Sequence, residues 1–234
     1  MVIVPSIDVR ARSVAGRSEA TDPLALAKAL VEQGAEELHL VDLDGAETGV
    51  LANAPLLASV AHAVGVPCRL AGGLSSLDEA REALERGFAG VLFSSAVFGD
   101  DELLGEIARM GAAAIVEIES RDGFLAPRGG ERALVSVATG RGALASARAA
   151  VMAGVRELYL VDLSGEGRLG GPPLVLVDAV RAVVGPRVAL HAGGGIRDLD
   201  DVRALARRGV ASAVIGRALA EGKFTIADAK AVSK

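Results

Sequence analysis

Two acidic side chains end two strand-like segments that are far apart in the chain. Pro5-Ser-Ile-Asp8 ends the first segment, and Val116-Glu-Ile-Glu119 ends another in the second half. Two carboxyl groups in one pocket can differ in protonation state, so that one acts as general base and the other as general acid. A lone carboxylate at a strand end is more commonly a helix cap or a salt-bridge partner. We predict Asp8 and Glu119 as a catalytic pair on the condition that the fold brings them together.

Two pairs of glycine-rich or serine-rich turns have the composition of anion sites. The turns Gly193-Gly-Gly195 and Gly216-Arg217 recur about 122 residues earlier as Gly72-Gly73 and Ser94-Ser95. Glycine allows close approach of the backbone to a ligand, and N–H groups at a helix N-terminus bind phosphate. The alternative is that the glycines only form tight turns and that Arg217 is a solvent-exposed helix residue. We predict two phosphate sites, formed by Gly194, Gly195, Gly216 and Arg217 and by Gly72, Gly73, Ser94 and Ser95.

The elements that would position these residues alternate regularly. Strands rich in Val, Ile and Leu are predicted at Val2–Ile7, Glu37–Asp42, Pro67–Ala71, Gly90–Ser94, Ala113–Glu119, Glu157–Asp162, Val188–Ala192 and Ala213–Gly216. Helical patterns are predicted at Pro23–Gln33, Ala54–Val64, Leu77–Arg86, Asp100–Met110, Gly142–Ala153, Pro173–Val184, Leu199–Arg208 and Thr225–Val232. Near-continuous apolar strands between amphipathic helices indicate a parallel sheet covered by helices.

Eight such units favour one α/β domain over residues 1–234, a (β/α)8 TIM barrel. A doubly wound open sheet is the alternative, but it does not require a repeat at half the chain length, which a barrel of two half-barrels would show. The longest connections are residues 9–21, 43–53, 120–141 and 163–172. They follow strands at the C-terminal face, where barrel active sites lie, so we expect them to serve function.

Composition excludes several functional classes. The net charge of −5 disfavours a nucleic-acid partner. Short apolar runs interrupted by charges predict no membrane span, and no signal peptide is expected. The single cysteine, Cys68, is expected to be a buried thiol of a cytoplasmic protein. There is no nucleotide motif, no metal-ligand cluster and no nucleophile elbow, so we expect no metal and no cofactor. His39 is expected to be structural, whereas His191 is either a core imidazole or a ligand contact. The sequence carries no signal of oligomeric state.

Motifs spread over nearly the whole chain resemble those of the half-barrel enzymes of histidine biosynthesis, the isomerase more than the cyclase. They are Pro5-Ser-Ile-Asp8, Leu40-Val-Asp-Leu-Asp-Gly-Ala46, Gly49, Asn53, Ala71-Gly-Gly-Leu74, Ser94-Ser95, Arg121-Asp-Gly123, Val161-Asp-Leu163, Ala192-Gly-Gly-Gly-Ile196 and Ile215-Gly-Arg-Ala218. The resemblance implies an Amadori rearrangement of the aminoaldose phosphoribosylformimino-aminoimidazole carboxamide ribotide (ProFAR) to its aminoketose. ProFAR is a small molecule with two phosphate groups. It also implies that Asp8 is the base and that Glu119 stands at the family's strand 5 aspartic acid.

The catalytic face departs from the family pattern. Glu119 is one methylene longer than aspartate, and a displacement of about 1 Å can cost a hundredfold in rate. Glu166-Gly167-Arg168 replaces Asp-Gly-Thr, and Pro127-Arg-Gly-Gly130 stands where a tryptophan is common. Val161-Asp162 replaces a threonine-bearing strand end, and the loop after the first strand is short. Three hypotheses follow: a divergent ProFAR isomerase, a paralogue acting on another phosphorylated substrate, and a barrel that binds such ligands or a partner without turnover.

Overall fold

A computed structural model of the chain describes residues 1–16, 20–164 and 169–234. Its barrel strands are β1 (Val2–Arg10), β3 (Leu38–Asp42), β4 (Cys68–Leu74), β5 (Gly90–Phe93), β6 (Ala114–Arg121), β8 (Glu157–Asp162), β9 (Ala189–Gly193) and β10 (Ser212–Ile215). Two short strands, β2 (Ser13–Val14) and β7 (Phe124–Leu125), lie outside the barrel. The barrel strands pair in parallel in the order in which they occur in the chain, and β10 closes the ring by pairing with β1, with Val2 opposite Ser212. The predicted TIM barrel is confirmed.

Helices cover the outside of the barrel. The larger ones are α1 (Pro23–Glu32), α3 (Ala54–Val64), α4 (Leu77–Glu85), α5 (Asp101–Arg109), α7 (Ala143–Ala153), α8 (Leu174–Val184), α9 (Leu199–Arg207) and α11 (Ile226–Val232). Short helices α2 (Leu43–Thr48), α6 (Arg132–Ala138) and α10 (Arg217–Ala220) and two 3-10 turns, Ser95–Gly99 and Gly111–Ala113, lie in the connections. No helix in the described ranges is long and apolar enough to cross a membrane.

The barrel strands are apolar on both faces because both faces are buried. One face packs on the helices in the large core. The other fills the barrel interior with a smaller cluster of Val4, Ala71, Leu92, Ile115, Tyr159, Val161 and Val214. Since successive strand residues point to opposite faces, every second residue of a strand points inward. On β1 these inward residues are Val4, Ser6 and Asp8, so the polar end of the series lies at the C-terminal mouth of the barrel.

Three strands, β1, β4 and β6, continue more than one residue beyond their predicted ends, and two of them do so by forming hairpins. β1 continues to Arg10 because it forms an antiparallel hairpin with β2, in which Val9 pairs with Val14. β6 continues to Arg121 because it pairs with β7, Ser120 opposite Leu125. Asp8 and Glu119 are therefore not the last residues of their strands. Each is held inside a strand by a hairpin, and the two hairpins occupy equivalent places in the two halves of the chain.

Candidate active site

A cavity of about 470 Å³ opens at the C-terminal ends of the barrel strands. Asp8 and Glu119 both line it, from β1 and β6, which are separated by three strands on either side of the ring. The predicted residues around it are Asp8, Glu119, Gly72, Gly73, Ser94, Gly194, Gly195, Gly216 and Arg217. Ser95 does not line it. The structure thus brings together the predicted carboxyl pair and the turns from both halves of the chain.

Asp8 is held by a neighbour on its own strand. The Ser6 hydroxyl donates a hydrogen bond to Asp8 Oδ1 at 2.5 Å. Burial raises the pKa of Asp8 above its ordinary value, and the Ser6 hydrogen bond and the charge of Arg128 offset only part of that rise. A carboxyl with a raised pKa is a stronger base than an exposed aspartate, and this is the property that proton abstraction from carbon requires.

Glu119 is buried and accepts hydrogen bonds at both of its carboxylate oxygens. Its side chain is 3% exposed. Oε1 accepts from Arg128 Nε at 2.9 Å and from the Arg128 backbone N–H at 3.4 Å. Oε2 accepts from the hydroxyls of Ser94 at 3.2 Å and Ser95 at 2.8 Å, and from the Ser95 backbone N–H at 3.3 Å. The group that faces Ser94 and Ser95 in this structure is therefore a carboxylate of the chain itself.

The segment 127–130 covers the predicted phosphate site formed by Gly72, Gly73, Ser94 and Ser95. The carbonyl of Gly129 accepts a hydrogen bond from the Ser94 hydroxyl at 2.6 Å. A Cβ on Gly129 would lie 2.4 Å from the carbonyl oxygen of Ala46 in α2, so only glycine fits between the two loops. The Glu131 backbone N–H donates to the Ser75 hydroxyl at 2.8 Å and fixes the end of the segment. Contacts within the protein thus occupy the polar groups of this turn.

The predicted phosphate site formed by Gly194, Gly195, Gly216 and Arg217 lines the cavity. Gly194 and Gly195 adopt φ values of +81° and +75°, which a residue with a side chain rarely adopts. Gly216 caps α10, and Arg217 is the first residue of that helix. Arg217 Nε donates to Glu221 Oε1 at 2.9 Å, and Arg217 also lines the cavity. The two repeated turns therefore differ in what surrounds them.

Part of the family-like motif has a structural role. Asp42 is fully buried, and its carboxylate accepts from the Gly45 N–H at 3.0 Å and from the Asn53 side-chain and backbone N–H groups at 2.7 Å each. Asp44 accepts from Asn53 Nδ2 and from the Ala11 N–H, both at 2.7 Å. These bonds fold the loop after β3 and connect it to the loop after β1. They position α2 at the rim of the cavity.

The floor of the cavity contains three polar side chains from the barrel interior, His39, Glu117 and Tyr159. His39 is 4% exposed, and its Nδ1 has no hydrogen-bond partner in the part of the chain that the structure describes. Sequence reasoning treated His39 as structural and did not select Glu117 or Tyr159. The period of two along each strand was the available signal, since His39 stands two residues before Val41 and Glu117 two before Glu119, all four lining the cavity.

His191 does not line the cavity. Its Nδ1 lies 2.7 Å from the Ser212 hydroxyl, and its Nε2 lies 2.7 Å from Glu157 Oε2. Of the two predicted alternatives for His191, a core imidazole and a ligand contact, the structure shows the core imidazole. Within the described residues no three His, Cys, Asp or Glu side chains lie close enough together to hold a metal ion.

Comparison with known proteins agrees with this arrangement. Residues 2–225 match the model of a family described as histidine biosynthesis protein. The chain belongs to this family. Proteins of Moorella thermoacetica and Chloroflexus aurantiacus are 35% and 33% identical to it, each over 100% of this chain and 98% of their own length. A protein of Halobacterium salinarum is 36% identical over 90% of this chain and 84% of its own length. All three relatives are named 1-(5-phosphoribosyl)-5-((5-phosphoribosylamino)methylideneamino)imidazole-4-carboxamide isomerase.

Within the histidine biosynthesis family, the departures noted in the sequence fall on the catalytic face. Val161 packs fully buried in the interior cluster beside Tyr159, so it offers no hydroxyl to the cavity. Arg128, which stands in the segment where a tryptophan is common, binds Glu119 instead. Glu166, Gly167 and Arg168 lie outside the described residues.

Proposed function

We propose that this chain isomerises the aminoaldose ProFAR, the compound in the relatives' names, to the corresponding aminoketose. The observation that carries the proposal is that Asp8 and Glu119 enter one cavity from opposite strands, between the two glycine-containing turn pairs. Family membership and the names of relatives about one-third identical over the whole chain support the same reaction.

The reaction needs one acid and one base. Protonation of the ribosyl ring oxygen opens the ring to a Schiff base between C1 and nitrogen. Removal of the C2 proton then gives an enolamine, which becomes the C2 ketone when C1 takes up a proton and the C2 hydroxyl loses its own. Protons only change place and no electrons leave the substrate, so the chemistry requires neither a metal nor an organic cofactor.

We assign the base to Asp8, whose raised pKa suits abstraction of the C2 proton. We assign the acid to Glu119, which must take up a proton and turn away from Arg128 or Ser95 before it can donate. The structure supports the first assignment more directly than the second, because every hydrogen bond that the described residues make with the Glu119 carboxylate is donated to it.

We propose that the substrate's two phosphates bind at the two turn pairs. Gly194, Gly195, Gly216 and Arg217 offer an open site at one end. At the other end, Gly72, Gly73 and Ser94 line the cavity, but a phosphate there must compete with Glu119 and Gly129 for the serine donors. This competition favours one alternative, a paralogue whose substrate carries a single phosphate. We also propose a cytoplasmic location, since the single cysteine is a buried free thiol.

Turnover of ProFAR by the unaltered protein tests the activity, and Asp8→Asn and Glu119→Gln test the residues. Loss of a general acid or base should lower kcat by about 100-fold to 10,000-fold in each variant. Asp78→Asn, on the exposed face of α4, is the matched control and should keep full activity. Full activity in both cavity variants would overturn the acid–base assignment. No turnover by the unaltered protein, combined with calorimetric binding of ribose 5-phosphate, would favour the single-phosphate alternative.

A further inference from the structure

His39 on β3 is a buried polar side chain that the protein does not satisfy. It lines the floor of the cavity, it is 4% exposed, and its Nδ1 has no hydrogen-bond partner among the described residues. Leaving a buried polar atom unpaired costs free energy, so native proteins keep few such atoms and commonly keep them at functional sites. His39 thus lines a ligand-sized cavity with an enclosed Nδ1, and the rest of its ring is the part that a ligand can meet.

The proton of the neutral ring belongs on the other nitrogen. Burial and the nearby charges of Arg69 and His191 lower the pKa of His39 to about 3, so the ring is neutral at physiological pH and carries one N–H. A proton on the enclosed Nδ1 would leave an unsatisfied donor, which is more costly than an unsatisfied acceptor. We therefore assign the N–H to Nε2, which belongs to the edge of the ring opposite the enclosed Nδ1.

His39 also lies beside the group that holds Asp8. In the pairing of β1 with β3, Ser6 is opposite His39 and Asp8 is opposite Val41, so His39 lies one inward layer below Asp8. Ser6, its cross-strand neighbour, donates to Asp8 Oδ1. Two residues along a strand are about 6.6 Å apart, a gap that a carbon in contact with Asp8 and its hydroxyl oxygen in hydrogen-bond contact with His39 can bridge together. A sugar whose C2 proton faces Asp8 can thus direct an oxygen to the floor.

We propose that His39 donates a hydrogen bond from Nε2 to an oxygen of the reacting sugar, most directly the C2 oxygen. This inference rests on the proposed function, in which that oxygen changes from hydroxyl to ketone. A neutral donor suits a hydroxyl or carbonyl oxygen, whereas a phosphate would call for several donors or a cation. His39 is then a substrate-binding residue of the isomerase that neither the carboxyl pair nor the phosphate turns include.

Three substitutions distinguish this role from a structural one. Gln places an amide N–H near the position of Nε2, Asn places its amide near Nδ1, and Leu fills the volume without a donor. We expect His39→Leu to lower kcat for ProFAR about 10-fold to 100-fold, the range for a lost transition-state hydrogen bond. We expect His39→Gln to recover most of that loss and His39→Asn to recover little. His62→Gln on the outer helix α3 is the control and should leave kcat unchanged.

Stability provides the second readout. Because His39 Nδ1 has no hydrogen-bond partner among the described residues, we expect the Tm of His39→Leu to equal or exceed that of the unaltered protein. A lowered Tm with equal activity loss in the Leu and Gln variants would assign a structural role and overturn the proposal. Unchanged kcat and KM in His39→Leu would overturn it as well, while leaving the isomerase function in place. Absence of ProFAR turnover in the unaltered protein would overturn both the role of His39 and the proposed isomerase function.

A spectroscopic test applies even if the Leu variant does not fold. The chain has only three histidines, so ¹⁵N-labelled imidazoles give a simple spectrum in which His62 and His191 are internal controls. Saturation with the aminoketose product should shift the His39 Nε2 resonance and leave the other two rings unchanged. A His39 signal that does not respond to bound product would contradict the hydrogen bond.

Discussion

Glu119→Gln should destabilise the folded protein in addition to slowing turnover. Both carboxylate oxygens accept hydrogen bonds, Oε1 from Arg128 and Oε2 from Ser94 and Ser95. The amide of glutamine has one accepting atom and one donating atom. Whichever way it is turned, its NH₂ group faces either the Arg128 guanidinium or the Ser95 backbone N–H, and neither of these can accept.

The size of the effect follows from these contacts. The serine hydroxyls can rotate and accept from the amide, so their bonds are not lost. Either the Ser95 backbone hydrogen bond or both bonds from Arg128 are lost, and the loss of at least one bond to a buried charged acceptor corresponds to about 1.5–3 kcal/mol. Arg128 is 48% exposed and can turn toward water, which places the loss near the lower end, about 1.5–2 kcal/mol. For a chain of this size that lowers Tm by about 3–8 °C.

Urea denaturation of Glu119→Gln, Arg128→Leu and the double variant measures this loss and its source. If the contact between Glu119 and Arg128 forms in solution, the sum of the stability losses in the two single variants should exceed the loss in the double variant. The expected excess is about 0.5–3 kcal/mol, the coupling range for residues in direct contact. Asp78→Asn again serves as the control for removal of a carboxylate. A Glu119→Gln protein as stable as the unaltered one near neutral pH, with additive single effects, would refute the reasoning from the Glu119 contacts.

Three other variants test other parts of the cavity. Because burial raises the pKa of Asp8, the protonated side chain contributes its full stability below the ordinary pKa of 3.8, and this contribution falls as pH rises through the folded-state pKa. Urea midpoints measured against pH should therefore show the stability of Asp8→Asn increasing relative to that of the unaltered protein as pH rises. A difference in stability that does not change with pH would contradict this. Gly193→Ala would place Cβ 2.0 Å from Tyr159 Oη, so we expect a loss of about 1–3 kcal/mol in the same assay, and no loss would disprove the close packing. Arg217→Ala should weaken the affinity for ribose 5-phosphate, measured by calorimetry, about 10-fold. The control Arg207→Ala, at an exposed position, should leave this affinity unchanged, and equal effects of the two substitutions would exclude Arg217 from the site.

The barrel was predictable because its determinants are local and repeated. Strands such as Leu38–Asp42 are short, apolar runs between amphipathic helices, and the turn at Gly72 recurs at Gly194. Once the fold is a closed ring of parallel strands, residues at corresponding strand ends must surround one mouth. That geometric consequence placed Asp8 and Glu119 in the same cavity without knowledge of any contact.

The contacts within the cavity were not predictable, since they depend on the paths of long connections. The hydrogen bonds among Ser95, Glu119 and Arg128 join three segments, and the last of these segments passes close to Ala46 at Gly129. No periodicity encodes such a path. His39 is a different case, because the alternation along its strand indicated an inward direction but not whether a partner would meet it there.

The two repeated turns now perform different tasks in the structure, and this has a consequence for the order of events in the proposed reaction. Glu119 and Gly129 occupy the serine donors near Gly73, whereas the turn at Gly194 lines the cavity and its backbone N–H binds no carboxylate of the described residues. A substrate with two phosphates would therefore bind first at the Gly194 end. Its second phosphate would displace the Glu119 carboxylate from Ser95, and the displaced carboxyl would then be free to turn toward the sugar. In this scheme, binding of the second phosphate and release of the proposed acid are the same event, so a sugar with one phosphate would bind without activating Glu119.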